Sequence, residues 1–193
     1  VHEWPAPQNE QDRFMSADIS FDLESQGFVS RSSLKAWVHK RGGLGRAEPC
    51  LLVTDVARTK TRDAGEDLAY RRTIEGGANA EGGGSPKLYL DHVAFLAKRP
   101  GNPFPQMISI GRARNSDIVL ALGTVSKVQC YFMMAGDEWA IVDQRSRNGT
   151  YLNAQPLTPG TKTPLKDGDT IRLGAEVTVK FLLPDSLLAQ LKG

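Results

Sequence analysis

A chain of 193 residues with 40% hydrophobic side chains holds enough apolar material for one or two ordinary domain cores. Its formal net charge of +2 is too small to argue for nucleic acid, which calls for Lys and Arg gathered on one face. No apolar run reaches the length of a membrane span and no charged-then-apolar leader is seen, so the expected setting is reducing and cytoplasmic.

The first fourteen residues are polar and contain two prolines, the pattern of a poorly ordered terminus. SRSSLKAWVHK (30–40) offers Ser as N-cap and spaces Leu34, Trp37 and Val38 for one face of a short helix, which the glycines at 42, 43 and 45 end. A strand-like run, CLLVTDV, follows Pro49. Residues 58–86 are rich in charge and glycine and read as a flexible insertion. EGGGSPK lacks the spacing of a phosphate loop, and Pro86 removes an amide that such a loop would use.

From Lys87 onward short strands recur at regular intervals: His92 to Lys98, ISIG, a run starting at Asp117, QCYFMM, WAIVD, TYL, TIRL and VTVKFLL. Many short strands with turns between them predict a sandwich or barrel rather than a parallel α/β sheet. Asn148-Gly149 predicts a hairpin joining WAIVD to TYL, because both residues tolerate positive φ. After Pro184, with Asp185 or Ser186 as cap, Leu187, Leu188 and Leu191 fall on one face of a C-terminal helix. Cys50 and Cys130 stand far apart among apolar neighbours, as buried free thiols do. His2, His39 and His92 have no ligand spacing, so neither a metal nor another cofactor is expected.

Four features occur in a fixed order within residues 107–181: Gly111-Arg112 at a strand end, Ser126-Lys127 in a loop, Arg147-Asn148-Gly149 in a second loop, and Asp167-Gly168-Asp169 before a late strand. This order resembles the forkhead-associated domain. The resemblance implies an all-β sandwich of two antiparallel sheets, here with short N-terminal and C-terminal helices. Residues 1–48 form an extension carrying the first helix, 49–184 the sandwich with its insertion at about 58–86, and 185–193 the last helix.

The family binds phosphothreonine peptides, and a phosphothreonine brings about −1.5 to −2 charges and three acceptor oxygens. By the resemblance, Arg112 and Ser126 match the pair that holds the phosphate, Lys127 adds a second positive group, and Arg147 stands where the family has a hydroxyl. Asn148 matches the side chain that grips the peptide backbone, while Gly111 and Gly149 are structural turn residues. One departure is Gln129, at the place of a His that braces the recognition loop in the family.

The implied function is a phosphothreonine-dependent adaptor in signalling. Its partner is a phosphorylated protein, such as a Ser/Thr kinase or its substrate, with no nucleic acid or membrane and with the chain a monomer or weak homo-oligomer. The alternative is a phosphate-independent structural or oligomerising scaffold on the same fold. An enzyme is not expected: no Ser/His/Asp or Cys/His arrangement is present.

Overall fold

The computed structural model describes residues 27–40, 48–56, 89–100, 102, 104, 106–136 and 138–192. The insertion expected at 58–86 and the polar terminus lie outside these residues. In chain order the elements are β1 (Phe28–Ser30), α1 (Arg31–Lys40), β2 (Cys50–Val56), β3 (His92–Phe95), β4 (Ile108–Gly111), β5 (Ile118–Val119) and β6 (Cys130–Ala135). Then come β7 (Glu138–Asp143), β8 (Thr150–Leu152), β9 (Gln155–Pro156), β10 (Thr163–Pro164), β11 (Thr170–Leu173), β12 (Val177–Leu182) and α2 (Pro184–Lys192).

The strands form two sheets, one in the order β1-β3-β2-β12-β11-β8-β9 and the other in the order β10-β7-β6-β4-β5. Pairing is antiparallel except between β4 and β5, which run parallel through Ile110↔Ile118 and Gly111↔Val119. The core between the sheets is one apolar cluster that includes Leu51, Val53, Ile110, Phe132, Ile141, Ile171, Val179 and Phe181. Burying each such side chain contributes about 1.5–3 kcal/mol.

The unbroken run Cys50–Val53 has a cause in this layering. Leu51 and Val53 face the inter-sheet core, whereas Cys50 and Leu52 face a second cluster with Val29, Leu34, Val93, Phe95, Leu182 and Leu187. The two helices supply Leu34 and Leu187 to that cluster, so β2 is covered on both faces and reads as continuously apolar. Trp37 of α1 lies flat on Phe95, with ring centroids 4.5 Å apart.

Three expectations change. Phe28–Ser30, placed in an extension ahead of the sandwich, is an edge strand paired with β3, and only then does the chain turn into α1. Ser30 serves both elements, because its Oγ accepts the Ser33 amide at 3.2 Å and so caps the helix. At the other end α2 is not capped by Asp185 or Ser186. Pro184 occupies its first turn, and Asp167, from the loop before β11, accepts the Leu183 amide at 2.7 Å and the Ser186 hydroxyl at 2.5 Å.

The third change bears on the site. Asn148-Gly149 does not close a hairpin, because β7 and β8 belong to different sheets. The loop between them crosses from the five-stranded to the seven-stranded sheet. The tight hairpin lies further on, at Asn153 and Ala154 between β8 and β9, where both residues have positive φ, 48° and 68°. Among the described residues no helix is long and apolar enough to cross a membrane.

Candidate functional site

Three loops meet where the ends of β4, β6 and β7 come together. The β4–β5 loop is fastened to the β5–β6 loop by the Arg112 amide on the Ser126 carbonyl, 2.9 Å, and the Ala113 amide on the Lys127 carbonyl, 3.0 Å. This approach leaves no room for a side chain at position 111. A Cβ there would lie 2.3 Å from the Lys127 carbonyl oxygen, so Gly111 is a contact requirement rather than a turn requirement. The β7–β8 loop joins through the Arg147 amide, which donates to Ser126 Oγ at 2.8 Å, and through Asn148 Nδ2, which donates to the Thr124 carbonyl at 2.8 Å.

Gln129 sits beneath this junction, fully buried. Its Oε1 accepts the Ser126 amide at 2.9 Å, and its Nε2 donates to the Gly149 carbonyl at 2.9 Å and to Thr150 Oγ1 at 3.0 Å. The amide therefore ties both recognition loops together with one side chain. Thr150 passes its own hydroxyl hydrogen to Asp143 Oδ1 at 2.6 Å, and Asp143 also accepts the Ser146 hydroxyl and amide. Asp143, Thr150 and Gln129 are buried polar groups with every partner in place, which makes the support rigid.

Sequence reasoning identified Gln129 only as a departure and did not identify Asp143 or Thr150. The available signal was a carboxylate ending an apolar strand, WAIVD, with a hydroxyl seven residues later at the next strand's start.

The β11–β12 turn completes the wall. Gly174 has φ +64 and packs so closely on Thr124 that a Cβ would stand 2.5 Å from its carbonyl oxygen. Thr124 Oγ1 donates to Glu176 Oε2 at 2.7 Å. Gly149, with φ +76, lies against the Tyr151 ring, over which Arg172 is stacked at 3.5 Å from Cζ to the centroid.

The structure thus brings Arg112, Ser126, Lys127, Arg147 and Asn148 onto one set of connected loops. Their remaining bonding capacity is specific. Ser126 Oγ accepts from Arg147, so its own O–H is left to donate. Arg112 is half-buried and spends Nε on the Val125 carbonyl at 3.2 Å, leaving its terminal NH2 groups for an anion. Asn148 is exposed and keeps its carbonyl oxygen and one N–H. Lys127 and Arg147 are exposed.

Cys130, next to Gln129, is no nucleophile here. Burial pushes its thiol well up from the ordinary range, and the Asp143 carboxylate adds to the shift. Among the described residues no cluster of three or more His, Cys, Asp or Glu could hold a metal ion.

The family model for the FHA domain matches residues 108–174. Protein FraH of Nostoc sp. is 35% identical over 97 residues, which is 50% of this chain and 30% of FraH. The glycogen accumulation regulator GarA of Mycolicibacterium smegmatis is 39% identical over 66 residues, 34% of this chain and 40% of GarA. Each match thus spans less than half of the relative's own length. Among solved structures, the FHA domain of an Arabidopsis thaliana hypothetical protein is similar at 31% identity and a TM-score of 0.40, over 46% of this chain and 73% of that one. The three loops that meet around Ser126 all come from residues 108–174, the segment that matches the FHA domain family model.

Proposed function

We propose that this chain binds a phosphothreonine-containing protein segment and acts as an adaptor, with no chemistry of its own. Arg112 takes the phosphate with its terminal NH2 groups, and Ser126 donates its hydroxyl to a second oxygen. Lys127 and Arg147 add positive potential, while Asn148 uses its free carbonyl and N–H on the ligand backbone beside the phosphothreonine. The observation that carries this reading is the pair of bonds that orients Ser126. The Arg147 amide donates to Oγ and leaves the hydroxyl hydrogen to donate elsewhere, and the Gln129 side-chain oxygen holds the Ser126 backbone amide.

The partner is a phosphorylated protein such as a kinase or its substrate. Gln129, standing where the family has His, would favour the phosphate-independent scaffold if it left the recognition loops unbraced. Its amide is bonded to both loops, which supports the phosphothreonine reading over the scaffold.

The test is calorimetric titration of one phosphothreonine peptide and its unphosphorylated twin into the purified chain. The phosphorylated form binds at least 10-fold tighter, and Arg112→Ala and Ser126→Ala each remove most of the difference, as loss of charge-assisted bonds of about 1.5–3 kcal/mol requires. Equal binding of the two peptides overturns the reading.

A further inference from the structure

The loops around Ser126 carry more positive charge than one phosphate needs. Arg112, Arg114, Lys127, Arg145 and Arg147 all lie on them, and only Arg112 is partly buried; the other four are exposed. A phosphothreonine offers at most about two negative charges. None of the five forms an ion pair among the described residues.

The three carboxylates next to these loops are buried and hydrogen-bonded within the fold, so none of them is presented at the surface to pair with these cations. Asp117 accepts from Lys98, Arg99, Asn102 and Ser109. Asp143 accepts from Ser146 and Thr150, and Glu176 accepts from Thr124. Each is less than a tenth exposed. Among the described residues, the three loops therefore carry exposed cations and no exposed carboxylate.

Two of the cations, Arg114 and Arg145, have no part in the phosphate-holding set. Each stands on a short hydrogen-bonded turn. Arg114 lies within Ala113–Ser116, closed by the Ser116 amide on the Ala113 carbonyl at 3.0 Å. Arg145 lies within the turn closed by the Ser146 amide on Asp143. Arg145 also has φ +53, a left-handed conformation that glycine adopts at no steric cost and arginine does not. The backbone at 145 does not favour an arginine, and its exposed side chain makes no ion pair among the described residues.

We infer that the preferred ligand carries further negative charge beside its phosphothreonine, as acidic side chains or a second phosphate, and that Arg114 and Arg145 read it. This rests on the phosphothreonine reading and names the class of segment which that site selects. The charge of the flanks adds to affinity through exposed pairs, each worth about 1.5- to 5-fold, so two or three together amount to about 10-fold at low salt.

Three peptides built on one backbone sequence, each with its unphosphorylated form, separate the possibilities: a single phosphothreonine with alanine flanks, the same with three glutamates nearby, and the same with a second phosphothreonine. Each is titrated into the full chain and into Arg114→Ala/Arg145→Ala at 50 mM and 500 mM NaCl, with heparin as a polyanion lacking phosphothreonine.

The expected result is about 10-fold tighter binding of one or both flank-charged peptides. The double variant removes that gain and changes the alanine-flanked peptide less than 2-fold, and the gain shrinks at 500 mM NaCl. The two charged peptides show whether carboxylates or a second phosphate supply the anion. If the alanine-flanked peptide binds as well as both others, the inference falls and the phosphothreonine reading stands. If no phosphorylated peptide outbinds its unphosphorylated form, both fall. Heparin binding as tightly as the charged peptides, with the same loss in the double variant, also overturns the inference and identifies a general polyanion surface, nucleic acid included.

Discussion

At the scale of single residues, Gln129 decides most about the site. Removing its side chain leaves the Ser126 amide, the Gly149 carbonyl and Thr150 Oγ1 each short of a partner in a buried setting. Gln129→Ala is expected to cost about 1–3 kcal/mol in urea denaturation. It should weaken phosphopeptide binding by more than that stability loss explains, because the two loops then move independently. Gly111 fails differently. Its φ is not the issue; a methyl group there collides with the Lys127 backbone at 2.3 Å. Gly111→Ala should cost about 1–3 kcal/mol by overpacking, with the largest amide shifts in heteronuclear NMR spectra at residues 125–128. The bracing role of Gln129 was hidden in the sequence because an amide and an imidazole share no side-chain pattern. Only the fold shows that an amide reaches three partners at once.

Among the elements, those whose identity rests on local pattern were legible and those that rest on distant partners were not. The helix at Arg31–Lys40 announces itself by Ser30 and by the spacing of Leu34, Trp37 and Val38. CLLVTDV and VTVKFLL read as strands because β-branched and apolar residues fill them, and they pair with each other through Leu51↔Phe181 and Leu52↔Lys180. Phe28–Ser30 was missed, since three residues carry no measurable alternation and the strand exists only by pairing with β3. The cap of α2 was missed for the same reason: Asp167 lies sixteen residues before the amide it holds. Asp167→Ala is expected to lower stability by about 0.5–2 kcal/mol in thermal denaturation, the worth of a helix cap, and to leave phosphopeptide binding unchanged. Asn148-Gly149 misled because positive φ suits a sheet-to-sheet crossing as well as a hairpin, and the dipeptide does not say which strand the next segment joins.

For the molecule as a whole, both cysteines are buried, and their protonation couples to folding. Burial, with a smaller contribution from Asp167, pushes the Cys50 thiol up to about 12. The folded chain thus keeps a proton that the unfolded chain releases near its ordinary value of about 8.5. The unfolded state binds fewer protons above that pH, so stability is fully present below it and falls as pH rises toward about 12. Urea midpoints measured between pH 8 and pH 10.5 should decline, and the decline should be shallower in Cys50→Ala than in the parent chain. Neither thiol should react with a disulfide reagent until the protein is unfolded.

The β7–β8 loop also makes a mechanical statement about the sandwich. Its two ends belong to different sheets, and the residues it carries meet the five-stranded sheet's loops at Ser126 and Thr124 and the seven-stranded sheet at Thr150 and Gly174. A ligand held by Arg112, Ser126 and Asn148 together ties the five-stranded sheet's loops to the crossing loop that leads into the other layer, as a rivet does. Any opening in which the layers slide apart must first release it, so bound peptide raises the free energy of that opening by about RT ln(1 + [L]/Kd). In native-state hydrogen exchange, amides of β6 and β12 should therefore slow by one common factor on adding peptide, although they lie in different sheets.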